Sequence, residues 1–408
     1  MRLFEVVTVE RAWELLRSHL EEAVPKEEYV PLARARNRVA ARDLLATLPV
    51  PAFARSTVDG FAVRAQDTFG SSESMPSFLT VAGEVTMGRP APVFPGPGTA
   101  VRIPTGGMLP PGSDAVVMIE DTEEPGDGTV WVQRPAAPGD NVIRAGEDLV
   151  EGQSVFAAGH RLRPADVGAL AATGFSDVPV RAPLRVAVLS TGDEVVSPGQ
   201  PLGAGQVFDI NGPALALAAE EDGACAKYLG IFADEPGTIS SGLEQALEYD
   251  LVLMSGGSSV GSRDVVGQVI AGAGSPGVLC HGLALKPGKP TLVAAIGGKA
   301  VFGLPGHPLS ALVVYLVLVR RALAWAQGAR YVPRPVVRHP VTRSLASRPG
   351  REEYVPCALA VESGVTVAQP LLGKSGLIST MARASGLIRI PLDTGGYGAG
   401  DTVDVILL

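Results

Sequence analysis

The residues best suited to chemistry stand in a loop that is almost free of side chains. The stretch 255–261 reads Ser-Gly-Gly-Ser-Ser-Val-Gly and follows the apolar run 251–254, which is typical of a buried strand. A strand that ends in such a loop leaves backbone N–H groups free to face an anion, most often a phosphate. Arg263 and Asp264 come directly afterwards and add a cation and a carboxylate. The loop lacks the Lys-Ser/Thr pair that a P-loop needs after its last glycine, so we predict an anion-binding loop of another kind.

Two further polar loops follow predicted strands, and a pair of lysines lies between the glycine loop and the second of them. Residues 190–194 read Ser-Thr-Gly-Asp-Glu, and residues 304–308 read Leu-Pro-Gly-His-Pro. In a parallel sheet, loops at the carboxyl ends of the strands meet along one edge, where α/β proteins bind their ligands. Lys286 and Lys289 flank a Pro-Gly turn, which alone is equally typical of a solvated turn. Near the glycine loop, they become candidate ligands of a phosphate or another oxyanion.

A set of carboxylates completes the candidate chemistry. The chain has no HExxH pattern and no CxxC pair, so neither a histidine nor a cysteine metal site is predicted. Oxygen ligands favour Mg²⁺ or a similarly hard ion, which would let acidic groups share a site with phosphate. From the residues alone we therefore predict phosphate or oxyanion transfer with Mg²⁺, and the substrate stays open. Taken alone, Asp59 beside a glycine and Thr105 before Gly-Gly are also typical of turns. The carboxylates are Asp59, Asp148, Glu194, Asp234 and Asp264.

The elements that must position these loops alternate between strands and helices from about residue 184 to residue 327. Such alternation predicts a parallel α/β sheet covered by helices. Elsewhere an amphipathic helix is predicted at 9–22, and an ambiguous helical segment at 32–45. Short β-like runs between Gly/Pro turns predict a small all-β module from about 51 to 139 and another beyond 327. In the α/β region the predicted strands are 184–190, 226–232, 251–254, 291–295 and 300–304, and the predicted helices are 213–220, 236–247 and 309–326.

Composition and charge narrow the class of protein. The chain has 408 residues, 46% of them hydrophobic and 19% charged, so it can bury several cores. A net charge of −8 argues against a nucleic-acid surface, which needs a basic field. Three well-separated cysteines suit a reducing compartment. The N-terminus does not resemble a signal peptide, and the longest apolar run, 311–319, is too short to span a bilayer. We expect a soluble, cytoplasmic protein that binds neither nucleic acid nor membrane.

Seven short motifs occur in one order along almost the whole chain. Together they resemble the molybdopterin molybdenumtransferase family, which includes the C-terminal domain of gephyrin. One such motif would be weak support, whereas seven in order on a matching domain pattern are strong. They are Ser56-Thr-Val-Asp-Gly-Phe-Ala, Pro104-Thr-Gly-Gly, Gly146-Glu-Asp, Ser190-Thr-Gly-Asp-Glu, Ser255-Gly-Gly-Ser-Ser-Val-Gly, Lys286-Pro-Gly-Lys-Pro and Leu304-Pro-Gly-His-Pro.

The resemblance implies a four-domain fold, a homodimer and a reaction. The fold class is α/β multidomain: an α/β core domain like molybdopterin-binding domains, an inserted β-rich module, a small linking domain and a C-terminal barrel-like β domain. The implied domains are 1–25 with 180–328, 26–47 with 148–179, 48–147, and 329–408. Adenylylated molybdopterin and molybdate would give molybdenum cofactor and AMP, at a site between the α/β domain and domains of the partner subunit. Contact with the molybdopterin adenylyltransferase is a further expectation.

The resemblance also implies roles for individual residues. Asp234, Asp264 and Glu194 would hold the nucleotide-side Mg²⁺, and Lys286 and Lys289 would place molybdate or the pyrophosphate. The implied catalytic residues are Asp59, Thr105, Asp148, Glu194 and Asp264. The implied substrate-binding residues are Ser190, Thr191, Gly192, Gly256, Gly257, Ser258, Ser259, Gly261, Lys286, Lys289, Pro305, Pro308, Arg351 and Ser375.

Two departures from the family pattern, and two alternative functions, qualify this prediction. His307 stands where Asn is usual, and an imidazole can imitate only one of the two amide hydrogen bonds. Val58 stands where a larger Met or Leu is usual, which is a packing change. The first alternative is a gephyrin-like scaffold without chemistry, which degraded loops or an added domain would favour. The second is a transferase for another phosphorylated ligand, or for tungstate instead of molybdate.

Overall fold

The computed structural model describes residues 6–20, 25–94, 96–256 and 265–408. Within these ranges the buried apolar side chains form separate clusters. Two of them lie on the two faces of an α/β sheet, and the others lie inside two β-rich units and one small linking unit. The chain is therefore a multidomain α/β protein, as the sequence predicts.

The α/β unit is organised around a six-stranded sheet. Four neighbouring strands pair in parallel. Two more strands complete one edge, and each of them joins the sheet by antiparallel pairing. These two strands correct the prediction of a parallel sheet. Gly297 and Gly298 have φ values of 55° and 75°, which suit the two-residue turn that sends the chain straight back. In sheet order the strands are Cys225–Phe232, Arg185–Thr191, Leu251–Ser255, Lys299–Leu304, Leu292–Ile296 and Pro276–His281.

Helices cover both faces of this sheet. Val186 and Val188 lie in one core and Ala187 and Leu189 in the other, because successive side chains of a strand point to opposite faces. Both faces are therefore buried, as is usual for parallel strands. One face packs on Val9–Arg17, Asn211–Glu221 and the helix 308–326, and the other packs on Pro236–Ala246 and Val265–Gly272.

The long apolar helix consists of Pro308–Val314, a π-helical turn Tyr315–Val319, and Arg320–Ala326. It has 19 residues and a mean hydropathy of 1.7, so by length and composition alone it could cross a membrane. The apolar run 311–319 is thus the central part of a longer helix. The helix is nevertheless 61% buried inside the chain, where it contributes to the core of the α/β unit.

The inserted module is a second six-stranded sheet with cores on both faces. Arg55–Ser56 and Val142–Ile143 pair where the chain enters and leaves it. Two short 3-10 helices, Ala65–Thr68 and Ile119–Asp121, connect its strands. In sheet order the strands are Ala115–Met118, Gly60–Val63, Thr99–Ile103, Ser77–Glu84, Thr129–Val132 and Thr122–Glu123.

The linking unit combines two segments that are far apart in sequence. Glu27–Pro31 pairs with Asp177–Arg181, Leu44–Leu45 pairs with Ser154–Phe156, and the helix Pro164–Ala172 packs beside them. The helical segment expected at 32–45 was wrong, since only the 3-10 turn Leu32–Arg34 forms there. Tertiary pairing with strands from the second segment overrides the weak local helical preference.

The C-terminal unit is a nearly closed, barrel-like sheet. A bridge between Val341 and Ala368 brings its two ends together. The two-residue strand Leu285–Lys286, which comes from the α/β region of the sequence, adds to its edge. A short helix, Ile378–Ala382, and a small ribbon of Leu345–Ala346 with Gly396–Tyr397 complete it. The main strands are Val336–Pro340, Glu352–Glu362, Val365–Pro370, Gly386–Ile390 and Thr402–Leu407.

Candidate active site

The three predicted loops do leave the α/β sheet side by side. Ser190 stands opposite Ser255 in the register of their parallel strands, and Ser255 stands opposite Leu304. The predicted convergence of strand ends is therefore confirmed. A Cβ on Gly256 would lie 2.2 Å from the Thr191 carbonyl oxygen, so only glycine lets the first two loops approach this closely. Residues 257–264, which include the predicted Gly257, Ser258, Ser259, Gly261 and Asp264, lie outside the described ranges.

A cavity of about 570 Å³ opens at these strand ends, and we call it the strand-end cavity. None of the described residues that line it is a lysine or an arginine. Exposed apolar side chains from the ribbon Val195–Val196 and Val207–Phe208 stand at its rim, together with Ile210. Its polar lining consists of Ser190, Thr191, Glu194, Asp209, Asn211, Asp234, Ser255 and His307, and it also includes Gly256, Pro290, Pro305, Gly306, Pro308 and Gly376.

Asp209 organises the wall of this cavity. Its carboxylate accepts hydrogen bonds from the Ser190 hydroxyl at 2.8 Å, the Tyr228 hydroxyl at 2.5 Å and the Gly212 N–H at 3.1 Å. Burial and the Asp209 partner raise the pKa of Tyr228 well above its usual range, so this phenol stays a neutral donor. Asp209 thus has its acceptor sites occupied and fixes the start of the helix Asn211–Glu221.

The carboxylates at the other side of the strand-end cavity repel one another. Burial raises the pKa of Asp234, and the negative charges of Asp193 and Glu194 raise it further, while the Thr191 hydroxyl offsets part of the rise. Asp234 Oδ1 is buried and lacks a hydrogen-bond partner of normal geometry within the described chain. A buried carboxylate beside two other acids is stabilised when a cation binds between them.

The second cavity, of about 880 Å³, lies against the C-terminal unit, and we call it the lysine cavity. It is lined by four cations and one carboxylate, so its net charge is strongly positive. Two of the cations stand at the two ends of one Pro-Gly turn of the α/β region, and two come from loops of the C-terminal unit. They are Lys286, Lys289, Arg351 and Lys374, the carboxylate is Glu353, and Ser375 is also part of the lining.

Glu353 holds two of these cations in place. Its buried carboxylate accepts from Lys286 Nζ at 2.6 Å and from the Ser347 hydroxyl at 2.9 Å, and it lies 4.0 Å from the Arg351 guanidinium. Lys286 and Glu353 are also direct neighbours in the strand pairing. Within the described ranges Lys289 forms no ion pair, so its charge is available to an incoming anion.

The two cavities share a wall made of Pro290, Pro305 and His307. The His307 ring nitrogen Nδ1 lies 2.8 Å from the Ser375 hydroxyl. The Ser375 carbonyl in turn accepts from the Leu309 N–H at 3.2 Å, in the first turn of the long helix. The departure from the family's usual Asn therefore stands at the contact between the α/β unit and the C-terminal unit.

The structure gathers most, but not all, of the predicted residues. Ser190, Thr191, Glu194, Asp234, Gly256, Pro305 and Pro308 line the strand-end cavity, and Lys286, Lys289, Pro305, Arg351 and Ser375 line the lysine cavity. Gly192 directly follows the strand Arg185–Thr191 and is not among the described lining residues. Asp59 and Thr105 are brought together, since the Asp59 carboxylate accepts from the Thr105 N–H at 2.7 Å. Asp59 and Thr105 lie in the inserted module, and Asp148 follows it in the chain. None of the three is among the lining residues of either cavity.

Four residues of the site were missed by sequence reasoning. Asp209 and Asn211 stand in Asp-Ile-Asn-Gly-Pro, an ordinary helix-start pattern that conceals a second role. Glu353 stands in the distinctive run Gly350-Arg-Glu-Glu-Tyr, where nothing local tells it from Glu352. Lys374 stands in Gly-Lys-Ser, which resembles the end of a P-loop but has Ala368 in place of the motif's first glycine.

Comparison with known proteins agrees with this architecture. Family models match residues 7–174 as the MoeA N-terminal region (domain I and II), 187–325 as a probable molybdopterin binding domain, and 338–408 as the MoeA C-terminal region (domain IV). Molybdopterin molybdenumtransferase 2 of Mycobacterium tuberculosis is 35% identical over 384 residues, which cover 92% of this chain and 94% of the relative. The molybdopterin molybdenumtransferase of Haemophilus influenzae is 33% identical over 396 residues, which cover 95% and 96%.

A solved structure shows the same fold. The crystal structure of a molybdopterin biosynthesis moeA protein from Pyrococcus horikoshii OT3 matches with a TM-score of 0.83 and 31% identity over 99% of this chain and all of that chain. The predicted family is thus confirmed by the family models, the relatives and the fold together. The chain belongs to the molybdopterin molybdenumtransferase family, a family of transferases in molybdenum cofactor biosynthesis.

Proposed function

We propose that this chain transfers molybdenum from molybdate to adenylylated molybdopterin, releasing AMP and molybdenum cofactor. The observation that carries the proposal is the pair of cavities with opposite lining that share the wall of Pro290, Pro305 and His307. A metal oxyanion needs cations, whereas a nucleotide-bearing organic substrate needs acceptors and an apolar surface. The names of the relatives support the same metal and the same pterin.

The lysine cavity is the proposed molybdate site. Lys289 is exposed and without an ion pair in the described structure, so it can meet the oxyanion at little desolvation cost. Lys286 and Arg351 are already oriented by Glu353, which fixes their positions before the ligand arrives. The Ser375 hydroxyl supplies a neutral donor beside them. Charge-assisted hydrogen bonds of this kind are about twice as strong as neutral ones.

The strand-end cavity is the proposed site of the adenylyl-bearing part, with Mg²⁺ on its acidic side. The residues present fit a hard cation: Asp234 has a buried, unpartnered oxygen, and Glu194 lines the same cavity. When bound, Mg²⁺ would neutralise phosphate charge. Within the described ranges no group of three or more His, Cys, Asp or Glu side chains could hold a metal, so Asp264 is the proposed third ligand.

The remaining implied residues support a homodimer in our proposal. Asp59, Thr105 and Asp148 lie in or beside the inserted module and are not among the lining residues of either cavity of their own chain, so they would act in the site of a partner subunit. Light scattering in solution tests this directly, because a monomer that turns over substrate would contradict it. A cytoplasmic location and contact with the molybdopterin adenylyltransferase belong to the same proposal.

The deciding experiment follows AMP release from adenylylated molybdopterin in the presence of Mg²⁺, with and without molybdate. Release that depends on molybdate is the expected result. No release under any condition would favour the scaffold, and release that responds equally to phosphate or sulfate would favour another transferase. A matched series with tungstate compares the two metals.

A further inference from the structure

Asn211 lines the strand-end cavity, and its side-chain oxygen is a buried atom that can only accept hydrogen bonds. The residue is 6% exposed and begins the helix Asn211–Glu221. Its Nδ2 donates to the Ser255 hydroxyl at 2.8 Å and to the Gly306 carbonyl at 2.9 Å. Because a carbonyl oxygen can only accept, the amide nitrogen must lie on that side. The orientation of the amide, and hence the position of Oδ1, is therefore determined by its neighbours.

Asn211 Oδ1 is buried and has no hydrogen-bond partner within the described chain. Buried polar atoms are nearly always paired, so an unpaired one on a residue that lines a cavity points to a ligand that completes it. Asn211 Oδ1 is an acceptor only, and the missing partner must therefore be a donor.

The neighbouring side chains do not compete for this role. Asp209 already accepts three hydrogen bonds, from Ser190, Tyr228 and Gly212, and as an acceptor it cannot pair with Asn211 Oδ1. Glu194 and Asp234 are charged acceptors on the side that we assign to Mg²⁺. Asn211 is thus a neutral acceptor with an unpaired oxygen, which suits an uncharged N–H group.

The rest of the cavity narrows the chemical class of that group. Val207, Phe208 and Ile210 give the rim an apolar surface, and the described lining contains neither lysine nor arginine. An apolar surface beside a neutral acceptor suits a flat heterocycle with an amino group, and we assign the phosphate to the acidic side, where Mg²⁺ would neutralise it. Adenine and pterin both carry such an amino group.

We propose that Asn211 is a specificity-determining residue, whose Oδ1 accepts a hydrogen bond from the amino group of the substrate's heterocycle. The inference rests on the proposed function, and it adds the residue that distinguishes an amino-bearing ring from a similar ring without one. A ring that presents a carbonyl in the same place would set two acceptors against each other and would be rejected.

Calorimetric titration of the wild-type protein with matched ligands tests the proposal. One pair is AMP and purine riboside monophosphate, which lacks the amino group. The other pair is pterin and its 2-desamino analogue. We expect about a 10- to 100-fold preference for the amino compound in one of the two pairs, and that pair identifies the ring. Equal binding within both pairs would overturn the proposal.

Two variants separate recognition from support of the cavity wall. Asn211→Leu removes the acceptor, and we expect it to bind the amino and desamino compounds equally. Ser255→Ala removes only a partner of Nδ2, so we expect it to weaken both compounds and to keep their ratio. Asn211→Leu with the wild-type ratio would contradict the proposal. If Asn211→Leu does not fold, as judged by thermal melting, Asn211→Ala replaces it, because alanine also removes the acceptor.

The proposed function can fail separately. AMP release that does not depend on molybdate would contradict the proposed transferase reaction. Discrimination between amino and desamino ligands would still support Asn211 as the specificity-determining residue. If the wild-type protein bound amino and desamino ligands equally while its AMP release still depended on molybdate, the role of Asn211 would be wrong and the transferase reaction would stand.

Discussion

The two cavities differ in how their charges are arranged before any ligand arrives. In the lysine cavity the buried carboxylate Glu353 is paired with Lys286, and Ser347 also donates to it. In the strand-end cavity the half-buried Asp234 stands beside Asp193 and Glu194, and it gains no cation from the described chain. In the lysine cavity the carboxylate has a cation as its partner and further cations remain, whereas in the strand-end cavity the carboxylates repel one another.

This difference teaches that two carboxylates removed from full solvent can have opposite consequences for stability, depending on the charges beside them. Breaking a buried ion pair destabilises the fold, because removal of one partner leaves the charge of the other buried and unpaired. A carboxylate held next to like charges is itself a cost, so its removal is expected to stabilise the fold while it removes function. The predictions below test this contrast.

The largest effect is expected from Asp234→Asn. It keeps the shape of the side chain and removes the charge that we assign to Mg²⁺. AMP release should fall by about 100-fold or more, because even residues behind metal ligands cost about 10- to 100-fold. Glu235→Gln, at the exposed next position, is the matched control and should retain activity. Equal losses in both variants would show that charge in general, and not this site, is responsible.

Lys289→Ala should act on the oxyanion alone. It removes an unpaired cation of the lysine cavity, and a hydrogen bond to a charged group contributes about 1.5–3 kcal/mol. The molybdate concentration for half-maximal AMP release should therefore rise about 10- to 100-fold, with the melting temperature unchanged. Molybdate titration and thermal melting measure the two quantities. An unchanged molybdate requirement would remove Lys289 from the oxyanion site.

Lys286→Ala should affect both binding and stability. It leaves the buried Glu353 without its closest cation, and an unsatisfied buried group costs about 1–3 kcal/mol. The double variant Lys286→Ala with Glu353→Gln should recover most of that stability without recovering molybdate affinity. Denaturant unfolding gives the free energies. A double variant as unstable as the single one would contradict the assigned pairing.

His307 lies in the shared wall, and its replacement should have a smaller effect. His307→Leu removes the hydrogen bond to Ser375, and a neutral bond of this kind contributes about 0.5–1.5 kcal/mol. The molybdate requirement should rise about 2- to 10-fold. His307→Asn keeps one donor and should restore the wild-type value. If Asn behaves like Leu, the ring itself and not the hydrogen bond matters.

The smallest effect concerns pH and the stability of the strand-end cavity. The pKa of Asp234 is raised in the folded protein above its ordinary value of 3.8, so the native state binds more protons between those two values. In the metal-free protein this group therefore costs stability that is fully present above the raised pKa and disappears as pH falls towards 3.8. Asp234→Asn should accordingly melt slightly higher than wild type at neutral pH. A lower melting temperature would reverse the contrast between the cavities.

Much of this arrangement can be predicted from the sequence, because it depends on local patterns. The strand ends at Ser190 and Ser255 follow from apolar runs that stop at small polar residues, and the parallel order then brings them together. Pro-Gly turns likewise made the two lysines candidates. What could not be predicted depends on pairing between distant segments: Glu353 became important only when its strand aligned with Lys286. Asn211 differs again, since its role depends on an atom that the folded chain leaves without a partner.

The strand Leu285–Lys286 belongs to the α/β region by sequence and to the C-terminal sheet by hydrogen bonding. The oxyanion site is therefore a joint property of two units, and neither unit could carry it into a new protein alone. An exchange of C-terminal units between relatives would have to preserve this strand pairing and the match of Lys286 with Glu353. Domain shuffling within the family is thus constrained at one two-residue strand.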